Sequence, residues 1–299
     1  MTRHEVAVRL TILAADSAQR TGITLVLVGA FCFSLAIPFT RWTDGLSTST
    51  IAFFRALFGF LFLCALTIAS RTPVRQALSW DTIRRLVPLG LVVSATVILY
   101  TYAVQHTTAA NAVLLVNSAP IYVAVLAPLL LGEPRARYTW QSLALAFIGM
   151  TLMTDPARLD VRSSELSGIV AAALSGACYS LVMLISRSLR GRISGLTQNL
   201  WSNGTIVLVL LPWALRAPGA VVVSNLHLLI PLGIFSLGLS YLFYFQGLQR
   251  ISAQQVSIAS LAEPIFGVLM GLAFFAEVPN TLGWIGAALI LTSITLITR

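Results

Sequence analysis

One carboxylate, Glu263, lies about ten residues into an apolar stretch over 253–275, which at helical rise places it about 15 Å deep, near the centre of a bilayer. A charged acid at that depth costs about 2.5–3.5 kcal/mol on insertion scales, so it must be paired, hydrated by a cavity, or protonated. Such a group could receive an ammonium ion or carry a proton. The competing reading is a pair with Arg55, the one arginine well inside an apolar stretch, whose long stem could reach it. Asn117, one turn before Pro120, offers an amide that could bond a carboxylate or amine, or a neighbouring helix. Tyr100, Tyr102, Tyr244 and Gln246 would give aromatic walls with polar tips, which suit a small amphiphilic ligand, though Tyr is also an interface anchor. Tyr179, Trp201 and Asn203 follow by the same logic.

Other chemistries find no support. His4, His106 and His227 are scattered and offer no metal-ligand spacing, so neither metal nor cofactor is expected. The chain has no Gly-rich phosphate loop, no nucleophile elbow and no His-Glu-x-x-His. An enzyme would need a convergent catalytic set, whereas most of the ten acids stand at the edges of apolar runs. Cys32, Cys64 and Cys178 all fall within apolar runs and suggest no disulfide framework.

The elements that must position these residues are membrane spans. Of 299 residues 57% are apolar and 10% charged, against about 25% charged in soluble domains. Ten spans are predicted at about 22–41, 49–70, 83–104, 109–131, 138–155, 165–187, 195–216, 226–248, 253–275 and 281–298. The first has no convincing cleavage site and reads as a retained helix. Every Lys-or-Arg position is Arg, and apart from Arg55 only Arg41, Arg158, Arg162 and Arg216 fall on one side against 14 on the other, so the positive-inside rule puts both termini in the cytoplasm. Scattering around span ends argues against nucleic acid as a partner despite the net charge of +9. Residues 1–20 form a cytoplasmic tail, either a short interfacial helix or a frayed end.

The two halves repeat. Shifted by 144 positions, Tyr100 meets Tyr244, Gln105 meets Gln249, Pro120 meets Pro264, Glu133 meets Glu277 and Trp140 meets Trp284; shifted by 146, Arg41 meets Arg187. The expectation is an all-α membrane protein of two five-helix repeats, 21–155 and 166–299, joined by an outside linker at 156–165. An odd number of spans per repeat inverts the second half, an arrangement typical of secondary transporters with a midplane site. Pro120 and Pro264, at mid-span, are expected to kink their helices inward or to shape packing. Glu133 and Glu277 precede the last span of each repeat and are read as stabilising its N-terminus, with gating as the alternative. Gly267 and Gly271 give a small-residue face for close helix approach inside a monomer. A residue present in one half only, such as Glu263 opposite Ala119, is the better candidate for an asymmetric substrate.

A Pro-Ile stretch in each half leading to Leu-Gly-Glu-Pro (131–134) or Phe-Ala-Glu-Val (275–278), followed by a Trp-containing last span, resembles the EamA family of the drug/metabolite transporter superfamily. Within it, the chain most resembles bacterial amino-acid exporters of the YddG type. The resemblance implies export of aromatic and other neutral amino acids across the inner membrane by alternating access, with other metabolites or cationic drugs as the alternative cargo. Ala276 departs from the Gly of the first repeat. A cavity lined by the hairpins of spans 3–4 and 8–9 is expected to hold the substrate.

Overall fold

A lipid-embedded backbone must satisfy its own N–H and C=O groups, and apolar runs of this length do so as helices. The computed structural model describes residues 3–70, 79–154 and 166–298, with 3–16 and 109–110 as backbone only. All regular structure among the described residues is helical. The first half holds α1 (Arg3–Ser34), α2 (Ala36–Trp42), α3 (Thr48–Ala69), α4 (Trp80–His106), α5 (Ala109–Val116), α6 (Ala119–Leu131) and α7 (Thr139–Met153). The second holds α8 (Leu166–Ser188), α9 (Gly195–Ala214), α10 (Gly219–Ser224), α11 (Leu226–Gly233), a π-helical turn (Ile234–Leu239), α12 (Ser240–Leu248), α13 (Ala253–Ala259), α14 (Ala262–Phe275) and α15 (Thr281–Ile297). The expected linker 156–165 with Arg158 and Arg162, and also Arg71, Arg75 and Arg299, lies outside the described residues.

Among the described residues, seven helical stretches are long and apolar enough to cross a membrane: Ser17–Trp42, Thr48–Ala69, Trp80–His106, Asn111–Leu131, Leu166–Ser188, Leu226–Leu248 and Ala253–Phe275. The apolar helices α7 and α15 are shorter and pack along one another. Helix α9 occupies the seventh expected span, but Gln198, Asn199, Ser202 and Asn203 make its first half polar, and all four are buried. Their partners explain the burial. Asn199 Nδ2 donates to the carbonyls of Leu237 (3.2 Å) and Gly238 (2.8 Å) in the π-helical turn, and Gln198 Nε2 donates to the Ile193 carbonyl (3.0 Å). Carbonyls displaced from the regular helical ladder thus find donors from the next helix, as a lipid environment requires. The backbone of residues 3–20 runs into the first span as one helix with it, so no separate interfacial helix precedes the span.

The prolines do not act as expected. Instead of kinking a continuous helix, each follows an interruption: α5 gives way to α6 at Asn117–Ser118, and α13 to α14 at Ser260–Leu261. Both crossings are carried by i to i−3 bonds, Ser118 N to Leu115 O (3.1 Å) and Leu261 N to Ile258 O (3.1 Å). Pro120 and Pro264 then fall in the first turn of the second piece, where the missing N–H has no intrahelical partner to lose. Glu263 consequently occupies the first turn of α14, where the positive end of the helix dipole favours an anion.

Each repeat ends its second piece in a left-handed residue, Gly132 (φ 65°) and its mate Ala276 (φ 53°). A Cβ costs about 1–2 kcal/mol in that region. Nothing stands within 4 Å of a Cβ built on Gly132, so the cost there would be conformational alone. Ala276→Gly is therefore expected to stabilise the protein by about 1 kcal/mol and Gly132→Ala to destabilise it by a similar amount. Thermal unfolding checks both, and an unchanged or lower midpoint for Ala276→Gly would contradict the argument.

Candidate functional site

Glu263 is half-buried and lines a cavity with Val26, Gly29, Ala30 and Phe33 of α1, Tyr179 of α8, Ser240, Tyr241 and Tyr244 of α12, and Ser260 at the helix break. The space is contracted: the centre of a water-sized molecule can occupy only about 20 Å³ of it. That admits about one water and no amino acid, so loading requires the helices to part. The wall is aromatic. Tyr179 and Tyr244 stack with centroids 6.0 Å apart and planes at 19°, and Tyr241 lies 6.1 Å from Tyr244 and 6.3 Å from Phe33. The buried Tyr244 hydroxyl is close enough to Tyr179 for the two to interact.

Arg55 and Glu263 lie within electrostatic reach of each other but make no ion pair within 4.0 Å. The guanidinium is held elsewhere. Its Nε donates to Ser236 Oγ (2.6 Å) on the π-helical turn, Ser236 donates in turn to the Leu232 carbonyl, and the Arg55 Cζ lies 4.7 Å from the Phe33 ring centroid. Arg55 Nη2 is buried without a partner. A guanidinium and a carboxyl group therefore share one low-dielectric region unjoined, an arrangement that is costly when both are charged and that a bound dipolar molecule would relieve.

Of the residues singled out from sequence, Glu263, Tyr179 and Tyr244 come together at the cavity, and Tyr100 lies within electrostatic reach of Glu263 and Arg55. The others lie elsewhere. Asn117 caps α5 by donating to the Val113 carbonyl (2.9 Å), and Tyr102 is exposed and stacks on His106 at 3.9 Å. Gln246 sits near the end of α12, where its backbone packs against Gly195, and Trp201 packs against the main core from α9. Asn203 is buried and donates to Asn199 Oδ1 (2.8 Å). Although Ile98, Leu99 and Tyr102 of α4 line a separate and more open cavity with α8, no lining residue of this one comes from the hairpin of the third and fourth spans, contrary to expectation. Helix α8 covers it: a Cβ at Gly176 would stand 2.5 Å from the Leu115 carbonyl, so only glycine lets α8 close over the break in the fourth span. Tyr241, Phe33, Ser240 and Ser260 were not foreseen. Tyr241 had a usable signal, three residues from Tyr244 on one helical face and opposite Val97 in the repeat.

The recurrent charges pair across the halves. Arg187 Nε donates to Glu133 Oε1 (2.5 Å) and its Nη1 to the Leu248 carbonyl (2.7 Å), while Glu133 Oε2 accepts from Ala253 N (3.0 Å). Glu133 thus stands at a helix N-terminus, but that of α13 and not of the following α7, because the chain after Pro134 leads it against the opposite half. Its mate Glu277 pairs with Arg41 (2.6 Å), whose guanidinium lies 4.7 Å over Phe275; Asn280 caps α15 in its place. Side chains of the first pair are 10% and 14% exposed, those of the second 48% and 54%. Gly267 packs against Ile37 within the chain.

Helices of membrane-spanning length around a charged, aromatic-walled cavity define a multi-pass membrane protein. The model of the EamA-like transporter family matches residues 20–155 and again 166–299, and the chain belongs to that family. It is 29% identical to a transporter of Archaeoglobus fulgidus, over 94% of this chain and 97% of that one. Two further full-length relatives are the pseudopaline exporter of Pseudomonas aeruginosa (26% identical; 94% of this chain, 96% of that one) and the riboflavin transporter of Rhizobium johnstonii (27%; 97% and 95%). A solved crystal structure shares the fold with a TM-score of 0.80 at 19% identity, over 94% of this chain and 96% of the other.

Proposed function

We propose that the protein exports small amino acids, aromatic and other neutral ones, across the bacterial inner membrane by alternating access. In this reading ten spans form two inverted five-span repeats, both termini are cytoplasmic, and one polypeptide works as a monomer without cofactor or enzymatic step. The observation that carries it is the cavity. Glu263 lines it unpaired beside three tyrosines, an anion for a substrate ammonium with aromatic faces for its side chain. Separate family matches to each half support duplication, as do the matched helix interruptions and the matched left-handed residues. The reciprocal pairs Glu133–Arg187 and Arg41–Glu277, at opposite ends of the 253–275 stretch, suit two gates, of which the buried one is closed. Pro120 and Pro264 keep a place in that reading as markers of the interruptions about which the helices bend. Asn117, Tyr100, Tyr102, Gln246 and Trp201 remain candidates for contacts made when the chamber opens.

The pseudopaline exporter and the riboflavin transporter among the relatives favour a second reading, export of another small metabolite. Cationic drugs fit less well, since Arg55 would repel them. Counterflow of labelled Phe into liposomes holding the purified protein decides: the expected result is Phe accumulation driven by internal unlabelled Phe or Met. Absence of flux with Phe, Met and Trp would move the assignment to the metabolite reading.

A further inference from the structure

We infer that Arg55 is the carboxylate receptor of the substrate site, so that Arg55 and Glu263 together select a zwitterion. The inference rests on the amino-acid reading and deepens it. Arg55 is anchored through Nε to Ser236 Oγ and through its planar face to Phe33, which fixes the guanidinium and leaves Nη2 buried and unpartnered. Phe33 is itself a cavity wall, so Arg55 stands one ring behind the space that Glu263 lines. A shift of that ring as the chamber opens would bring Nη2 to the cavity. Guanidinium is the side chain suited to fixed recognition of a carboxylate.

Charge balance points the same way. With Glu263 ionised, one arginine and one glutamate make the unloaded chamber neutral, and a zwitterion keeps it neutral while giving each charge a partner. A simple cation would satisfy Glu263 and leave Arg55 buried against like charge, and a simple anion would do the reverse. The aromatic wall of Tyr179, Tyr241 and Tyr244 then takes the side chain, which explains how a strict backbone requirement coexists with tolerance of several neutral side chains.

Competition against labelled Phe, or against labelled 2-phenylethylamine where Phe binds too weakly, tests the assignment on the purified full-length protein. The wild type should prefer Phe over 2-phenylethylamine, its analogue without the carboxylate, by about tenfold or more. In Arg55→Gln that preference should fall to about threefold or less, because Phe loses a partner while the amine loses a repelling charge. Arg55→Lys, which keeps the charge without the fork, should fall between. A wild-type preference in Arg55→Gln overturns the assignment; if that variant binds neither ligand or fails to fold, the full preference in Arg55→Lys overturns it and a reduced one supports it. Wild type that binds no amino acid defeats the amino-acid reading and this inference with it, whereas binding with unchanged selectivity in the variants defeats this inference alone.

Discussion

Counterflow of Phe is lost in Glu263→Gln while the protein stays folded. The substitution keeps shape and removes only the charge, at a residue that lines the cavity and has no salt bridge to lose. A charge-assisted hydrogen bond contributes about 1.5–3 kcal/mol, so weakening of roughly 10- to 150-fold is expected in substrate affinity. Stability should change little or rise. The native carboxylate at the first turn of α14 has the helix dipole to favour it but no cation in contact, and Gln removes a partly desolvated charge. Transport and unfolding therefore move apart in this variant, which separates a substrate role from a packing role. Wild-type counterflow with wild-type pH dependence in Glu263→Gln would reject any role for the charge.

That the site was partly legible in the sequence follows from one physical fact. A carboxylate deep in an apolar stretch is costly, and Glu263 stood out as a candidate on that ground. The likeness of the two halves was legible where both solve the same packing problem: Gly132 and Ala276 share a left-handed turn although only one is glycine. What the sequence did not reveal was which partners meet through space. Arg41 and Glu277 are 236 positions apart, and their pairing depends on how two halves dock, which helix periodicity does not encode. The prolines misled for a related reason. At mid-span a proline is equally compatible with a kink and with the first turn of a new helix, and the i to i−3 crossings at Ser118 and Leu261 decide between them. The polar half of α9 was equally opaque, since only the carbonyls of the π-helical turn explain why Asn199 is buried there.

Glu133→Gln should cost far more stability than Glu277→Gln, although the two acids occupy matched positions in the repeat. Glu133 and Arg187 are almost sealed from solvent, and removing one partner strands the other charge, at about 3–5 kcal/mol. Arg41 and Glu277 are about half exposed, and such pairs contribute about 0–1 kcal/mol. Thermal unfolding of both variants tests the difference, and the double variant Glu133→Gln with Arg187→Gln should recover part of the loss because no charge remains stranded. Equal destabilisation by Glu133→Gln and Glu277→Gln would show that burial is not what separates the two pairs. The same asymmetry has a consequence for transport. If the ends open alternately, opening the end at Glu133 must break the buried pair together with the Glu133 bond to Ala253 and the Gln254 bonds to Ala136 (3.2 Å) and Thr139 (2.8 Å). Removing one charge lowers that barrier and shifts the population toward the conformation open at that end. A cysteine placed at Ser257, buried on α13 in this conformation, should then react with a polar thiol reagent faster in Glu133→Gln than in its parent, with Cys32, Cys64 and Cys178 replaced in both. An unchanged rate would confine the pair to holding the fold together and leave the opening to be controlled elsewhere.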